Sequence, residues 1–192
     1  MGKEKRAYDE KAVQTLDALE HIRKRTGMYI GRIGDGSNFV DGIYVMLKEV
    51  IDNSVDEFIM GYGKKVDIRR EGPTLPVRDY GRGIPLGKVI DCVSVINTGA
   101  KYNDDVFQFS VGLNGVGTKA VNALSSGFQV ASFRNNECME ARFQRGKLKK
   151  KNRGKVRKKE QNGTLVEFTP DTEIFGDFAF NYEHIEQRMW TY

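Results

Sequence analysis

Cysteine and histidine are almost missing from this chain. Cys92 and Cys138 are its only cysteines in 192 residues, too few and too far apart for a disulfide framework or a zinc site. Two free thiols suit a reducing compartment, so a cytoplasmic protein is expected. The only histidines are His21 and His184. That excludes a His-rich metal centre and points away from histidine acid–base catalysis. Chemistry is left to carboxylates, amides, glycines and cations. No apolar run approaches the ~18–20 residues of a membrane span, and no membrane association is expected. The opening MGKEKRAYDE has no apolar core of the kind a secretory signal needs. There is no internal repeat and no Ser/Pro-rich linker. The chain reads as one domain, large enough to bury roughly 70% of its unfolded surface.

Charge is present but uneven. The formal net charge is +5, from 31 Lys and Arg against 26 Asp and Glu. Residues 147–159 (KLKKKNRGKVRKK) hold nine of those cations and no acid. The rest of the chain has 22 cations against 26 acids, so the body of the domain is mildly acidic. The basic segment has two readings: a solvated hairpin that aids solubility, or a DNA-facing patch whose affinity would be salt-sensitive. No aromatic residues interleave it to stack on bases.

Periodicity supplies the elements. Val13, Leu16, Leu19 and Ile22 predict a helix over 12–24. The glycine-rich TGMYIGRIGDGSN that follows reads as loop. The strongest helical pattern runs over 39–60, where Val40, Ile43, Leu47, Val50, Ile51, Val55, Phe58 and Ile59 recur every three or four residues before Gly61. KVDIRR and LPVR read as short strands. Further helices are expected over 86–97 and 118–124, and from about 181. Extended segments are expected over 128–133, 138–144 and 164–169, the middle one alternating like a half-buried antiparallel strand. The expected fold is a two-layer α+β domain: a mostly antiparallel, mixed sheet with helices on one face.

Within the long helix, Glu49, Asp52, Asn53 and Asp56 share one face at i, i+3, i+4 and i+7. A solvated face is one account of them. The other is a site: three carboxylates without an interposed cation repel, and a carboxylate one turn from an amide oxygen suits Mg²⁺ plus an attacking water. Two glycine-rich segments, RDYGRGIP and VGLNGVGTKA, allow close backbone approach to a ligand, and the second leads into a helix N-terminus that can face phosphate. Gly112 and Gly117 have Walker spacing, but Thr118 and Lys119 stand in reversed order. Gly115, Gly117 and Ala120 fit G-x-G-x-x-A, with Glu140 some twenty residues on, so a dinucleotide fold is an alternative.

Taken together, KEVIDNSVDE, RDYGRGIP, GLNGVG and NGTLVEF resemble, in order and spacing, the four sequence boxes of the GHKL (Bergerat-type) ATPase superfamily. Within it the chain is most similar to the B subunits of bacterial type II DNA topoisomerases, gyrase and topoisomerase IV. YDEKAVQTLDALEHIRKRTGMYIG, NTGAKY and GLNGVGTKAVNALS add to the likeness, which runs from Tyr8 to the last helix. The resemblance implies an N-terminal ATP-binding and ATP-hydrolysing domain over 1–192, lacking the transducer and metal-binding domains of the whole subunit. It implies ATP and Mg²⁺ as cofactors. It implies a second copy of the subunit, the A subunit and DNA as partners, a nucleoid-associated bacterial location, and sensitivity to aminocoumarins.

Residue by residue, the likeness makes Glu49 the general base and Asn53 the Mg²⁺ ligand. Asp79 would accept from the adenine amino group, supported by Thr164 through a water. Gly83, Ile84 and Pro85 would floor the purine pocket, with Arg82 over the adenine edge. The amides of Gly112, Leu113, Asn114, Gly115, Val116 and Gly117 would form a phosphate lid, joined by Lys101. Tyr8 would reach the partner subunit's nucleotide. Arg134 would meet coumarin-type inhibitors, with Asp79 and Thr164.

The chain departs from the family at three places. Val45 stands where a His often orients the base, Asn114 stands where the lid often has His, and Thr26 replaces a usual Pro. The short spacing after Pro85 leans toward topoisomerase IV over gyrase. Two other function classes are set against the ATPase: a DNA-binding module using the basic segment, and a dinucleotide oxidoreductase on Gly115–Ala120.

Overall fold

The computed structural model describes residues 15–99, 115–156 and 160–192. A six-stranded sheet runs in the order β1-β2-β6-β3-β4-β5. Its strands are β1 (Val66–Ile68), β2 (Leu75–Asp79), β3 (Ser125–Arg134), β4 (Glu137–Gln144), β5 (Lys147–Lys155) and β6 (Gly163–Pro170). Every pairing among them is antiparallel. That arrangement lacks the parallel βαβ unit of a dinucleotide fold and removes that alternative.

Registry shows why one face is buried. One row across the strands is Val77, Val166, Val130 and Ala141; the next is Leu75, Phe168, Phe128 and Phe143. All eight are core residues. The neighbouring rows carry Arg78, Glu167, Gln129 and Arg142 to the other face. This is the alternation expected of a sheet covered on one side.

The covering helices are α1 (Ala18–Lys24), α2 (Thr26–Ile30), α3 (Gly42–Ile59), α4 (Val89–Ser94) and α5 (Gly117–Ala123). Two others, α6 (Thr172–Phe175) and α7 (Tyr182–Met189), follow the sheet. Helix α3 contributes Ile43, Tyr44, Met46, Leu47, Val50 and Ile51 to the core. Its start is fixed by buried Asp41, whose Oδ2 accepts from the amides of Gly36 (3.0 Å) and Asn38 (3.1 Å). The chain enters α1 at Asp17, whose carboxylate caps the amide of Glu20. Residues 15–17 are therefore outside the helix expected from 12. The stretch read as loop contains the short helix α2, which buries Thr26 and Ile30. Strand β5 falls in the segment read as a basic hairpin, for which the sequence predicts no strand bounds, and helix α6 was not expected.

Candidate functional site

Helix α3 ties three of the four boxes together. Glu49, Asn53 and Glu57 are spaced by four, so they line one face over ~12 Å at 1.5 Å per residue. At one end, Glu49 lies against the start of α5: a Cβ on Gly117 would fall 1.8 Å from Glu49 Oε2. Only glycine lets the backbone approach that carboxylate so closely. One turn on, Asn53 Nδ2 donates to Glu49 O (2.8 Å) and to Thr118 Oγ1 (2.9 Å). Both amide hydrogens are thus used, which fixes Oδ1 on the opposite side of the amide. At the far end, Glu57 holds the second box. Its Oε2 accepts from Arg82 N (2.8 Å) and Nε (3.1 Å), and its Oε1 from Arg82 Nη2 (2.8 Å).

The acidic stripe is neither uniform nor a solvated face. Asp52 and Asp56 are buried, whereas Asn53 is exposed. Lys48 pairs with Asp52 at 2.6 Å, so a cation stands on the stripe after all. The Tyr192 hydroxyl also donates to Asp52. Burial, and then the Asp52 carboxylate, push the Tyr192 hydroxyl pKa far up.

Asp79 ends β2 with only 8% of its surface exposed. Its Oδ1 accepts from Gly81 N (2.9 Å) and Thr164 N (3.2 Å). Among the described residues no hydrogen bond reaches Oδ2. Burial raises its pKa above the ordinary carboxylate value, and the two amides only partly counter that. Thr164 thus also meets Asp79 directly, through its backbone amide. Gly163 makes the contact possible: at φ +133, a Cβ there would sit 2.2 Å from Asp79 O.

The turn after Asp79 is clamped to the sheet. Gly83 has φ +74, and a Cβ there would meet Phe133 O at 2.8 Å and Gly163 O at 2.9 Å. Ser132 Oγ donates to Ile84 O (2.6 Å), and Arg134 Nη1 donates to Gly83 O (3.1 Å). Pro85, Leu86, Arg134, Asn135, Glu137 and Arg153 border a shallow cleft of about 310 Å³. Arg78 is held between the rings of Tyr80 and Phe133, 4.7 Å from each centroid.

Most of the expected residues therefore meet. Glu49, Asn53 and Gly117 share one junction; Asp79, Gly83, Ile84, Thr164 and Arg134 share another. Arg82 is held by Glu57 with its guanidinium 4.3 Å from the Tyr62 ring centroid, rather than standing alone at the pocket edge. Gly115 and Val116 precede α5. Tyr8, Lys101, Gly112, Leu113 and Asn114 lie outside the described residues. Sequence reasoning missed Glu57, Ser132 and Gly163. The signal for Glu57 was present, since it repeats the spacing of four that links Glu49 to Asn53.

No protein-family model matches the chain. It is 61% identical over 185 residues to the B subunit of DNA topoisomerase 4 from Borreliella burgdorferi, across 96% of this chain and 31% of that protein. It is 40% identical over 194 residues to the B subunit of DNA gyrase from Archaeoglobus fulgidus, across 95% of this chain and 30% of that protein. The chain thus spans about a third of the length of the curated relatives it matches. Among solved structures, the 43K ATPase domain of Thermus thermophilus gyrase B, in complex with an aminocoumarin, matches with a TM-score of 0.73 and 31% identity. That match covers 91% of this chain and 44% of the other.

Proposed function

By homology over nearly its whole length the chain belongs with the B subunits of topoisomerase IV and gyrase, and from that premise we propose that it binds and hydrolyses ATP to drive clamp closure in a type II DNA topoisomerase. The observation that carries this reading is Asp79. It is a buried carboxylate with one oxygen held by two backbone amides and the other reached by no described donor. Adenine offers an amino donor for that second oxygen. A buried charge-assisted hydrogen bond left unmade costs ~1–3 kcal/mol or more, so the pocket selects for that donor. Gly83, Ile84 and Pro85 form the floor beneath the purine, and Arg82, steadied by Glu57, stands at its edge.

The phosphates extend along α3 toward α5, where the amides of Gly115, Val116 and Gly117 serve as lid donors. Gly112, Leu113, Asn114 and Lys101 are assigned to the same lid by resemblance, and Tyr8 to the nucleotide of a second copy. Mg²⁺ fits the donor set. Among the described residues no three His, Cys, Asp or Glu gather as a metal cage. The chain supplies one amide oxygen, Asn53 Oδ1, which would hold the ion, and Mg²⁺ there would offset charge on the phosphates. Glu49 takes the proton of the attacking water as the new oxygen–phosphorus bond forms, and ADP leaves with the electrons of the broken one. With Val45 in place of a histidine, the seating of Glu49 against Gly117 orients the base.

Topoisomerase IV is favoured over gyrase. The chain is 61% identical to a topoisomerase IV relative and 40% to a gyrase relative, and Pro85 passes directly into the 3₁₀ turn Leu86–Lys88. The transducer and metal-binding domains, the A subunit, a dimer partner and DNA belong to the whole protein's cycle in this reading, and Arg134 to the aminocoumarin site. Calorimetric titration of a non-hydrolysable ATP analogue with Mg²⁺ tests it. Binding to the chain and its loss in Asp79→Asn are expected. In that variant an Asn oxygen keeps the two backbone amides, which turns an NH₂ toward the adenine amino group. Unchanged affinity in Asp79→Asn would refute the assignment.

A further inference from the structure

The outer strand of the sheet adds nothing to the core. All nine residues of β5 are exposed, although its partner β4 buries Met139, Ala141 and Phe143. The two core rows run off the covered face at this strand: Ala141 is paired with Lys151, and Phe143 with Leu148. Six of the nine residues are Lys or Arg, and a register shift between Arg142 and Phe143 leaves Lys149 as the extra, bulged residue.

The acids nearest the strand are already taken. Glu137, opposite Lys155, pairs with Arg153 at 3.1 Å, and Glu140, opposite Asn152, pairs with Arg142 at 2.7 Å. Among the described residues Lys147, Lys149, Lys150, Lys151 and Lys155 make no ion pair. A lysine or two on an edge strand guards against unwanted strand pairing. Five unpaired lysines on a domain whose remainder is net acidic exceed that need.

We propose that β5 is a contact surface for duplex nucleic acid, read through its phosphates and not its bases. Alternate residues on a strand lie about 6.7 Å apart, so Lys151, Arg153 and Lys155 span about 13 Å on one face. A single duplex strand presents a phosphate every ~3.4 Å of axis, so this face covers about four of them. No aromatic side chain lies on the strand, so bases have nothing to stack on. The bulged Lys149 extends the same charge around the edge. The inference rests on the charge and exposure of this strand, independently of the nucleotide site.

The test is fluorescence anisotropy of a labelled 30-base-pair duplex with the 192-residue chain from about 50 to 200 mM salt. The variant Lys149→Gln/Lys151→Gln/Lys155→Gln is compared with a control of equal charge loss, Lys24→Gln/Lys64→Gln/Lys88→Gln. Each lost phosphate contact flattens the log–log salt slope by about 0.9, so the β5 variant should be shallower by about two to three and bind on the order of a hundredfold more weakly at 100 mM. The control should keep the wild-type slope. An unchanged slope in the β5 variant, or an equal change in the control, would overturn the proposal. Competition by polyglutamate as effective, per charge, as by duplex would overturn it too, reassigning the strand to an acidic protein partner. Melting temperature and ATP-analogue affinity should be unchanged in the β5 variant, which separates failure here from failure of the nucleotide assignment.

Discussion

The two sides of the sheet treat charge in opposite ways. Along α3 and at the end of β2 acids dominate and are buried or half-buried: Asp79 is held by two amides, Asp52 by Lys48 and Tyr192, and half-buried Glu57 grips Arg82. At β5 cations dominate, are exposed, and five lysines have no acidic partner among the described residues. A buried charge is costly unless its environment fits it, so the inner side is specified atom by atom. An exposed charge costs little and can be multiplied freely. The inner side therefore suits one small ligand held by specific contacts, and the outer side suits a large polyanion met through charge alone.

The contrast can be broken most severely at Gly163. Alanine there would meet Asp79 O at 2.2 Å in a backbone region that L-residues avoid. A loss of about 3 kcal/mol, or about 10 °C in Tm, is expected by thermal unfolding. Next comes Gly117→Ala, whose Cβ would collide with the Glu49 carboxylate. Because Glu49 can swing aside, folding should survive. ATP turnover of the full-length subunit should fall on the order of tenfold to a hundredfold, with a smaller change in analogue affinity. Comparable losses in both would show that Gly117 acts in binding alone.

A milder probe is Glu57→Gln, which releases the clamp on Arg82. Several-fold weaker analogue binding is expected by calorimetry, because Arg82 keeps its place over Tyr62. The smallest effect is protonic. Burial holds the Asp79 pKa above its ordinary 3.8. A raised carboxyl pKa favours the protonated fold, so its contribution to stability is lost as pH rises from 3.8 through the raised value. The adenine donor favours the carboxylate and draws the pKa back, so nucleotide binding in that window should release a fraction of a proton. Titrations in buffers of different ionisation heat would measure it, and Asp79→Asn should abolish it.

Much of this was legible in the chain itself. Ile43, Leu47, Val50 and Ile51 of α3 lie in the core as their spacing predicts, and the alternation in β4 buries Met139, Ala141 and Phe143; Val40, Phe58 and Ile59, read as part of the same stripe, are exposed. The four boxes singled out Glu49, Asn53, Asp79 and Thr164 as candidates from glycine spacing and acid placement, and the structure sets Glu49 against Gly117, Asn53 against Thr118 and Thr164 against Asp79. What stayed hidden depends on contacts between distant segments. Asp52 reads as one more acid on a polar stripe, and only the approach of Tyr192 explains its burial. The role of Gly163 follows from β6 lying against β2. Strand β5 lacks apolar alternation because neither of its faces is buried, so pattern reading could not assign it.

Adenine recognition by Asp79 is tested most directly by titrating non-hydrolysable ATP and GTP analogues against the 192-residue chain with Mg²⁺. Guanine places a carbonyl oxygen where adenine places its amino group, facing the Asp79 carboxylate. The ATP analogue should bind, and the GTP analogue should bind on the order of a hundredfold more weakly. Equal affinity for the two would contradict that recognition.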